Sequence, residues 1–364
     1  MSQPAEEEPL RIGAIGCGRV FNHAHLPAII RIPGVELTSL YDANPKAAEY
    51  TLFHCREVID DEIHRLQQGP EYRGGQRRVD RLTRSNRIRQ LRANLDNLKV
   101  APTPETLLQQ VDIATVCTPV RWHVPYAVMA LDHGVHAMSE KPMGRTWWEA
   151  RRIKEAVDRS GRLYQLSDDN VFLPRYQALR NAIESKTVGN LQSIWICRGS
   201  HGGEVGWFWN PELAGGGSLM DYGTHAVTST WFLVGYDWTP IRIQSLGIRA
   251  RHRTRVLEGR LQRVAIDDDA HFKVLFESPT GDWATVILEA TWSWPELGTP
   301  SSGPRGYILV EGSEGTITGH VDEVQNRDYL KMTRYGYGEK LVRVPTVRPK
   351  WNPWKERSAT SRNA

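Results

Sequence analysis

Between residues 10 and 161 the chain alternates apolar, strand-length runs with helix-length segments, and that rhythm leaves few folds open. Leu10–Ile15 is a short apolar run that ends in glycines, as a buried strand does. Residues 19–31 read as a helix with Leu26, Ile29 and Ile30 as its apolar positions. Val35–Tyr41 is a second strand ending at Asp42, and Asn44 can cap the next helix, with Pro45 at its first position. A third strand over 112–118, a helix over 121–132 stopping at Gly134, a strand over 135–140 and a helix over 146–160 ending at Gly161 continue the pattern. Such alternation predicts a parallel sheet covered on both faces, an α/β N-terminal domain.

Residues 57–97 interrupt the rhythm. The chain between Asp42 and Val111 is about twice as long as one crossover helix requires. Leu66, Val79, Leu82, Ile88, Leu91 and Leu95 recur near helical spacing among many arginines, which predicts one or two amphipathic helices inserted into the domain. After about residue 170 the texture changes. Runs at 191–201, 239–252, 270–278, 282–294, 306–319 and 329–345 read as long strands without intervening helices. They predict an α+β C-terminal domain on a large, mainly antiparallel open sheet. The expected division is 9–170, the α/β domain carrying the Arg-rich helical insertion at about 57–97; 171–345, the α+β domain; and 346–364, a polar tail in which Trp351 and Trp354 are docking candidates.

Composition excludes several classes. Hydrophobic residues make up 40% and charged residues 24% of 364, ordinary for a globular protein. No run approaches about 18 consecutive apolar residues, so no membrane helix is expected. The opening residues MSQPAEEEPL have no basic region or apolar core, so no secretory signal is expected. Cys17, Cys55, Cys117 and Cys197 are scattered without a CxxC pair, which fits buried thiols in a reducing cytoplasm. Residues 65–92 hold nine Arg against Glu71 and Asp80, and 249–263 hold six against Glu258. A solvated basic surface is expected there in preference to a nucleic-acid site. No His pair has a partner at metal-ligand spacing, so no metal is expected, and Asp267-Asp268-Asp269 reads as a solvated turn.

Three segments carry chemistry. Gly16-Cys17-Gly18-Arg19-Val20-Phe21 lies directly between a strand and a helix. In a dinucleotide turn the first Gly makes the bend and the second admits the pyrophosphate. The N–H groups at the helix start then bind phosphate, and a carboxylate at the position of Asp42 accepts from the ribose hydroxyls. Phe21 stands where a third Gly is usual. A glycine turn in an unrelated strand–helix unit is the competing explanation. Ser139-Glu140-Lys141-Pro142 ends a buried strand, where ligands sit in parallel sheets. Lys141 would exchange protons with a hydroxyl there, or else pair with a carboxylate at the sheet edge. Gly215-Gly216-Gly217 precedes a helix with Asp221 and His225 four residues apart on one face. They would hold a polyol and move its proton, or else serve as a cap and a core histidine. Trp207 and Trp209 are candidates to stack on a sugar face, and Trp292 and Trp294 are spaced to share a strand face.

Together these segments resemble the glucose–fructose oxidoreductase and inositol dehydrogenase family (Gfo/Idh/MocA) over about residues 10–345. The resemblance implies an α/β Rossmann N-terminal domain with NAD as cofactor and a C-terminal domain for substrate binding and oligomerisation; the Asp42 carboxylate would repel a 2′-phosphate, so NADP is disfavoured. The implied NAD-binding residues are Gly16, Gly18, Arg19, Val20, Asp42, Thr118, Pro119, His123, Glu140 and Lys141, with Thr118-Pro119 and His123 in the loop beside the nicotinamide. Lys141, Asp221 and His225 are the implied catalytic residues, and His25 matches a histidine frequent on the first helix. Lys141 would stabilise the developing alkoxide. Lys141 or His225 would be the acid/base, and Asp221 would orient a hydroxyl and keep His225 in place. The expected reaction moves a hydride between NAD and a secondary alcohol of a sugar or cyclitol, in a cytoplasmic homodimer or homotetramer. A glycosidase or lyase cycle with internally recycled NAD ranks second. A redox-sensing or nucleic-acid-binding protein ranks third.

Overall fold

The computed structural model describes residues 8–68, 77–203, 205–257, 259–293, 305–322, 329–336 and 338–343. Trp294, residues 69–76 of the Arg-rich segment and the 346–364 tail lie outside them. The chain divides into two compact units, 1–167 and 168–364.

The first unit contains β1 (Leu10–Ile15), α1 (Leu26–Arg31), β2 (Val35–Tyr41), α2 (Pro45–Gln68), α3 (Arg77–Asn97), β3 (Lys99–Val100), α4 (Pro104–Leu108), β4 (Ile113–Val116), α5 (His123–Asp132), β5 (His136–Glu140), α6 (Trp147–Ser160) and β6 (Tyr164–Ser167). Its six strands are all parallel and run in the order β3-β2-β1-β4-β5-β6, the doubly wound order whose switch point lies between β1 and β4. Buried Ile15, Leu37, Leu40 and Val116 explain the strands. Thr103 and Thr146 cap α4 and α6 by accepting backbone N–H bonds, and Gly161 ends α6 at φ +66°.

The Arg-rich segment is built differently from the expected insertion. Its first part is the continuation of the crossover helix, since α2 runs unbroken for 24 residues, and α3 returns beside it. Cys55, Ile59, Ile63 and Leu91 are buried in the same core as Ile12, Leu37 and Leu40. Asn94 donates to the Leu37 carbonyl at 2.9 Å, and Arg87 donates to those of Ile30 and Ile32. The α2–α3 hairpin is therefore part of the domain core and cannot be treated as a detachable module.

The second unit contains α7 (Pro174–Glu184), β7 (Leu191–Gly199), α8 (Pro211–Ala214), α9 (Thr224–Val234), β8 (Thr239–Arg249), β9 (Thr254–Leu257), β10 (Arg260–Arg263), β11 (Asp269–Glu277), β12 (Trp283–Thr291), β13 (Arg305–Gly312), β14 (Gly315–Asp322), β15 (Tyr329–Arg334) and β16 (Gly338–Arg343). Eight strands form one sheet, β16-β15-β14-β13-β7-β12-β11-β8, antiparallel at every pair except β7–β12. Tyr176 and Leu179 of α7 and Ala226 and Leu233 of α9 pack on Ile194, Ile196, Val286 and Ile308 of the sheet. Two runs read as single strands, 306–319 and 329–345, are hairpins. In the first, Gly312 pairs with Gly315 across a two-residue turn at Ser313 and Glu314. The basic stretch 249–263 holds a further hairpin, β9–β10. No helix among the described residues is long and apolar enough to cross a membrane.

Candidate active site

In the first unit the candidate residues gather at the carboxyl ends of the parallel strands. Gly16 follows β1 at φ +96°, and a Cβ there would stand 2.7 Å from the Cys117 carbonyl, so only glycine fits. Gly18 is the opposite case: it is exposed, and no protein atom lies within 4 Å of where its Cβ would stand. The protein's own packing does not require glycine there. The bare backbone leaves room for a pyrophosphate to approach the helix start at Arg19 and Val20, so the residues present fit a dinucleotide. The helix that follows opens into a π turn over Phe21–His25, and Phe21 is fully buried in place of the third glycine. Asp42 anchors this turn from β2, its two oxygens accepting the N–H groups of Cys17 and Asn44 at 2.8 Å each. Each oxygen keeps a lone pair for a further donor.

Beyond β4 and β5, Glu140 ties three pieces together. It accepts from the Lys141 N–H at 3.1 Å, and its Oε1 lies 2.7 Å from His25 Nε2. Burial works against charge on the His25 ring, yet Cys117 and Glu140 beside it raise its pKa to about 10. The same desolvation opposes the Glu140 charge, but His25 and Lys141 hold the carboxyl below its usual range. His123 is only 1% exposed, with Nδ1 2.7 Å from the Pro142 carbonyl and Nε2 2.8 Å from that of Thr118. Burial lowers its pKa, and a neutral ring can donate to only one of the two. With both nitrogens facing protein carbonyls, His123 joins the Thr118-Pro119 loop to the Lys141-Pro142 turn.

The second unit presents Asp221 and His225. A π turn over Leu219–Gly223 leads into α9, and Asp267 organises its start. Asp267 Oδ1 accepts from the Gly217 N–H at 2.7 Å and Oδ2 from the Leu219 N–H at 2.9 Å. A Cβ on Gly217 would stand within bonding distance of the Asp267 carbonyl oxygen, so this glycine is required for the close approach. Asp268 is fully buried and accepts from the N–H groups of Arg251 and His252 and from the Arg255 guanidinium. Asp269 is 2% exposed and pairs with Arg251. The run is therefore not the expected solvated turn: Asp268 and Asp269 are buried because they meet arginines of the basic stretch, and half-buried Asp267 serves the glycine turn. Arg251 and Arg255 are correspondingly engaged in ion pairs.

Asp221 does not keep His225 in place. Its Oδ2 accepts from Trp292 Nε1 at 3.1 Å, whereas His225 Nδ1 lies 2.9 Å from Oδ1 of Asp168. Desolvation opposes charge on Asp168, but His225 and the Asn170 N–H hold its pKa below the usual range. Nothing in the spacing connects residues 168 and 225. The one signal in the sequence is an acidic pair, Asp168-Asp169, directly after β6, a strand of only four residues. Around Asp221, Trp209 and Trp292 pack 4.8 Å apart with Arg255 over Trp209, and Trp207 stacks on Phe208 at 3.9 Å. Trp209 is buried and donates to the Gly203 carbonyl, which leaves half-buried Trp207 as the better candidate for a sugar face. Lys141 belongs to the first unit, and Asp221 and His225 belong to the second.

Comparison with known proteins agrees with this layout. Residues 10–167 match the model of the oxidoreductase family with an NAD-binding Rossmann fold, and residues 176–318 match the Gfo/Idh/MocA C-terminal domain. D-glucoside 3-dehydrogenase of Escherichia coli is 29% identical over 158 residues, 42% of this chain and 45% of that protein. Levoglucosan dehydrogenase of Pseudarthrobacter phenanthrenivorans is 26% identical over 242 residues, 61% of this chain and 58% of that protein. The chain thus spans about half the length of these curated relatives. Among solved structures, aldose-aldose oxidoreductase from Caulobacter crescentus has the same fold, with a TM-score of 0.67 at 19% identity over 95% of this chain and 86% of that one. Two family models in succession cover both units, and the chain belongs to the Gfo/Idh/MocA family of NAD-binding oxidoreductases.

Proposed function

We propose that this protein oxidises a secondary alcohol of a sugar or cyclitol, with NAD taking the hydride. The observation that carries the reading is Lys141 at the carboxyl end of β5, on a turn fixed by Glu140 and by His123, in a unit that also holds the open glycine turn and Asp42. The names of the relatives support a sugar as substrate. NAD supplies the hydride acceptor at its nicotinamide ring. The ammonium of Lys141 stabilises the developing alkoxide, Asp221 orients a neighbouring hydroxyl, and His225 takes the proton. The test is a screen of free sugars, inositols, glycosides and nucleotide sugars with NAD, followed at 340 nm. Absorbance must rise for at least one class. Product formed without free NADH would replace this reading with an internally recycled cofactor. The four cysteines are free thiols, as suits the reducing cytoplasm proposed for the chain.

NAD should be preferred over NADP by at least about tenfold in kcat/KM, because a 2′-phosphate facing Asp42 meets like charge and loses a charged hydrogen bond. Asp42→Ala should narrow the gap. Equal efficiency with both cofactors in the wild type would refute the role of Asp42.

The protein should also be a homodimer or homotetramer. β8 is an edge strand, and Ile241, Ile243, Leu246 and Ile248 on it are 45–71% exposed. Such a row favours burial against a second copy. Sedimentation at micromolar concentration should show at least a dimer, and a monomer there would contradict the expectation.

A further inference from the structure

We infer that Asp168 is the positioning residue that fixes the tautomer and orientation of His225, so that Nε2 is the nitrogen that receives the substrate proton. The inference rests on the proposed reading of His225 as the group at the reacting hydroxyl. His225 Nδ1 lies 2.9 Å from Asp168 Oδ1, with side-chain exposures of 13% and 3%. An ionised carboxylate can only accept a hydrogen bond, so Nδ1 carries the hydrogen and Nε2 the lone pair. Asp168 is ionised despite its burial, and its pKa is lowered. The carboxylate is itself held, because Oδ1 also accepts from the Asn170 N–H at 3.2 Å and the Thr228 hydroxyl bonds the group from α9.

The other acids near the ring do not compete for this role. Asp221, one turn earlier on the same helix, accepts from Trp292. Asp169 brings an oxygen within 4.8 Å of the His225 and Asp168 atoms, but it is exposed and screened by water. A cation held by this trio would have to displace the proton that now joins Nδ1 to Asp168. In the forward step the substrate O–H bond breaks and its proton bonds to Nε2. The oxygen electron pair closes the carbonyl as the C–H hydride passes to oxidised nicotinamide, and Asp168 steadies the resulting imidazolium without taking the proton. The arrangement is the orienting half of a carboxylate–histidine pair.

The experiment uses the full chain labelled with ¹⁵N-histidine, with His225→Gln to assign the ring. Wild type should show His225 protonated at Nδ1. Asp168→Asn should give a mixed or reversed tautomer, because the amide can donate where the carboxylate accepted. With a sugar found in the screen, kcat of Asp168→Asn should fall by about 10²–10⁴ while KM stays within about threefold. Asp168→Glu should recover at least about tenfold of that loss. A merely structural role would raise KM, lower the folded fraction and leave the tautomer alone. A wild-type ring protonated at Nε2 would overturn the inference, as would an Asp168→Asn enzyme with unchanged tautomer and kcat. Should Asp168→Asn fail to fold, the wild-type tautomer decides. A wild type with the Nδ1 tautomer that oxidises no sugar would remove the proposed function and leave the Asp168–His225 pairing standing.

Discussion

Lys141→Ala is expected to stay folded and bind NAD while turnover falls by about 10²–10⁴, the worth of a general acid–base group or of one charge-stabilising donor. The turn that carries Lys141 is fixed through other atoms. Its backbone N–H bonds Glu140, Glu140 faces His25, and the next carbonyl, of Pro142, faces His123. Removing the side chain therefore leaves the Thr118-Pro119 loop and the glycine turn in place. Lys141→Arg should not restore activity, since a guanidinium is larger, planar and permanently protonated. NAD binding by calorimetry and turnover on the same preparations separate the two readings of this lysine. A residue that only paired at the sheet edge would cost stability, and NAD affinity would fall with it. Turnover of Lys141→Ala within about tenfold of wild type would end the catalytic assignment.

Asp268→Asn should cost about 3–5 kcal/mol of stability, as removing one partner of a buried ion pair does. An amide keeps an acceptor oxygen on one side only, so its NH2 meets either the Arg251 N–H or the His252 N–H, and the Arg255 guanidinium, 18% exposed, loses its counter-charge. The effect should depend on pH in a defined direction. Desolvation opposes the Asp268 charge, but these donors hold its folded pKa below the unfolded value. Its contribution is thus present above the unfolded carboxylate range and is lost as pH falls through the folded value. Urea unfolding at pH 7 and pH 3 tests both points. The gap between wild type and variant should be widest at pH 7 and should narrow in acid. A gap under about 1 kcal/mol at pH 7 would show that the ion pair contributes little.

Most strands and helices of the first unit are legible as apolar runs, several of them bounded by a glycine or a cap such as Gly16, Asn44, Gly134 and Gly161. β3, α4 and β6 are not, being two, five and four residues long. The two hairpins of the second sheet read as single strands because their strands lie close in sequence, Gly312 pairing with Gly315 and Arg334 with Gly338, which leaves too little chain between them to break an apolar pattern. The π turns at Phe21 and Leu219 leave no mark on helical periodicity. Glycines and short motifs located candidates within a few residues of one another. They gave no access to pairs made by folding, such as His225 with Asp168 or Asp221 with Trp292. The acidic run is opaque for the same reason. Three adjacent carboxylates look solvated until arginines distant in sequence are brought to them.

That run also has a consequence for how the chain tolerates changes in length. Asp267 serves the glycine turn before α9, Asp268 serves the 251–255 segment, and Asp269 opens β11 in register with Arg249. Each carboxylate is aimed at a different element by its place in the backbone. Residue identity is the same at all three positions, so deleting one Asp would leave the composition of the junction almost unchanged. It would still shift β11 by one residue and send its alternating side chains to the opposite faces of the sheet. Substitutions at these positions are graded losses, whereas a single-residue insertion or deletion within the run would set the Asp267 bonds to the turn before α9 out of step with the register of β11.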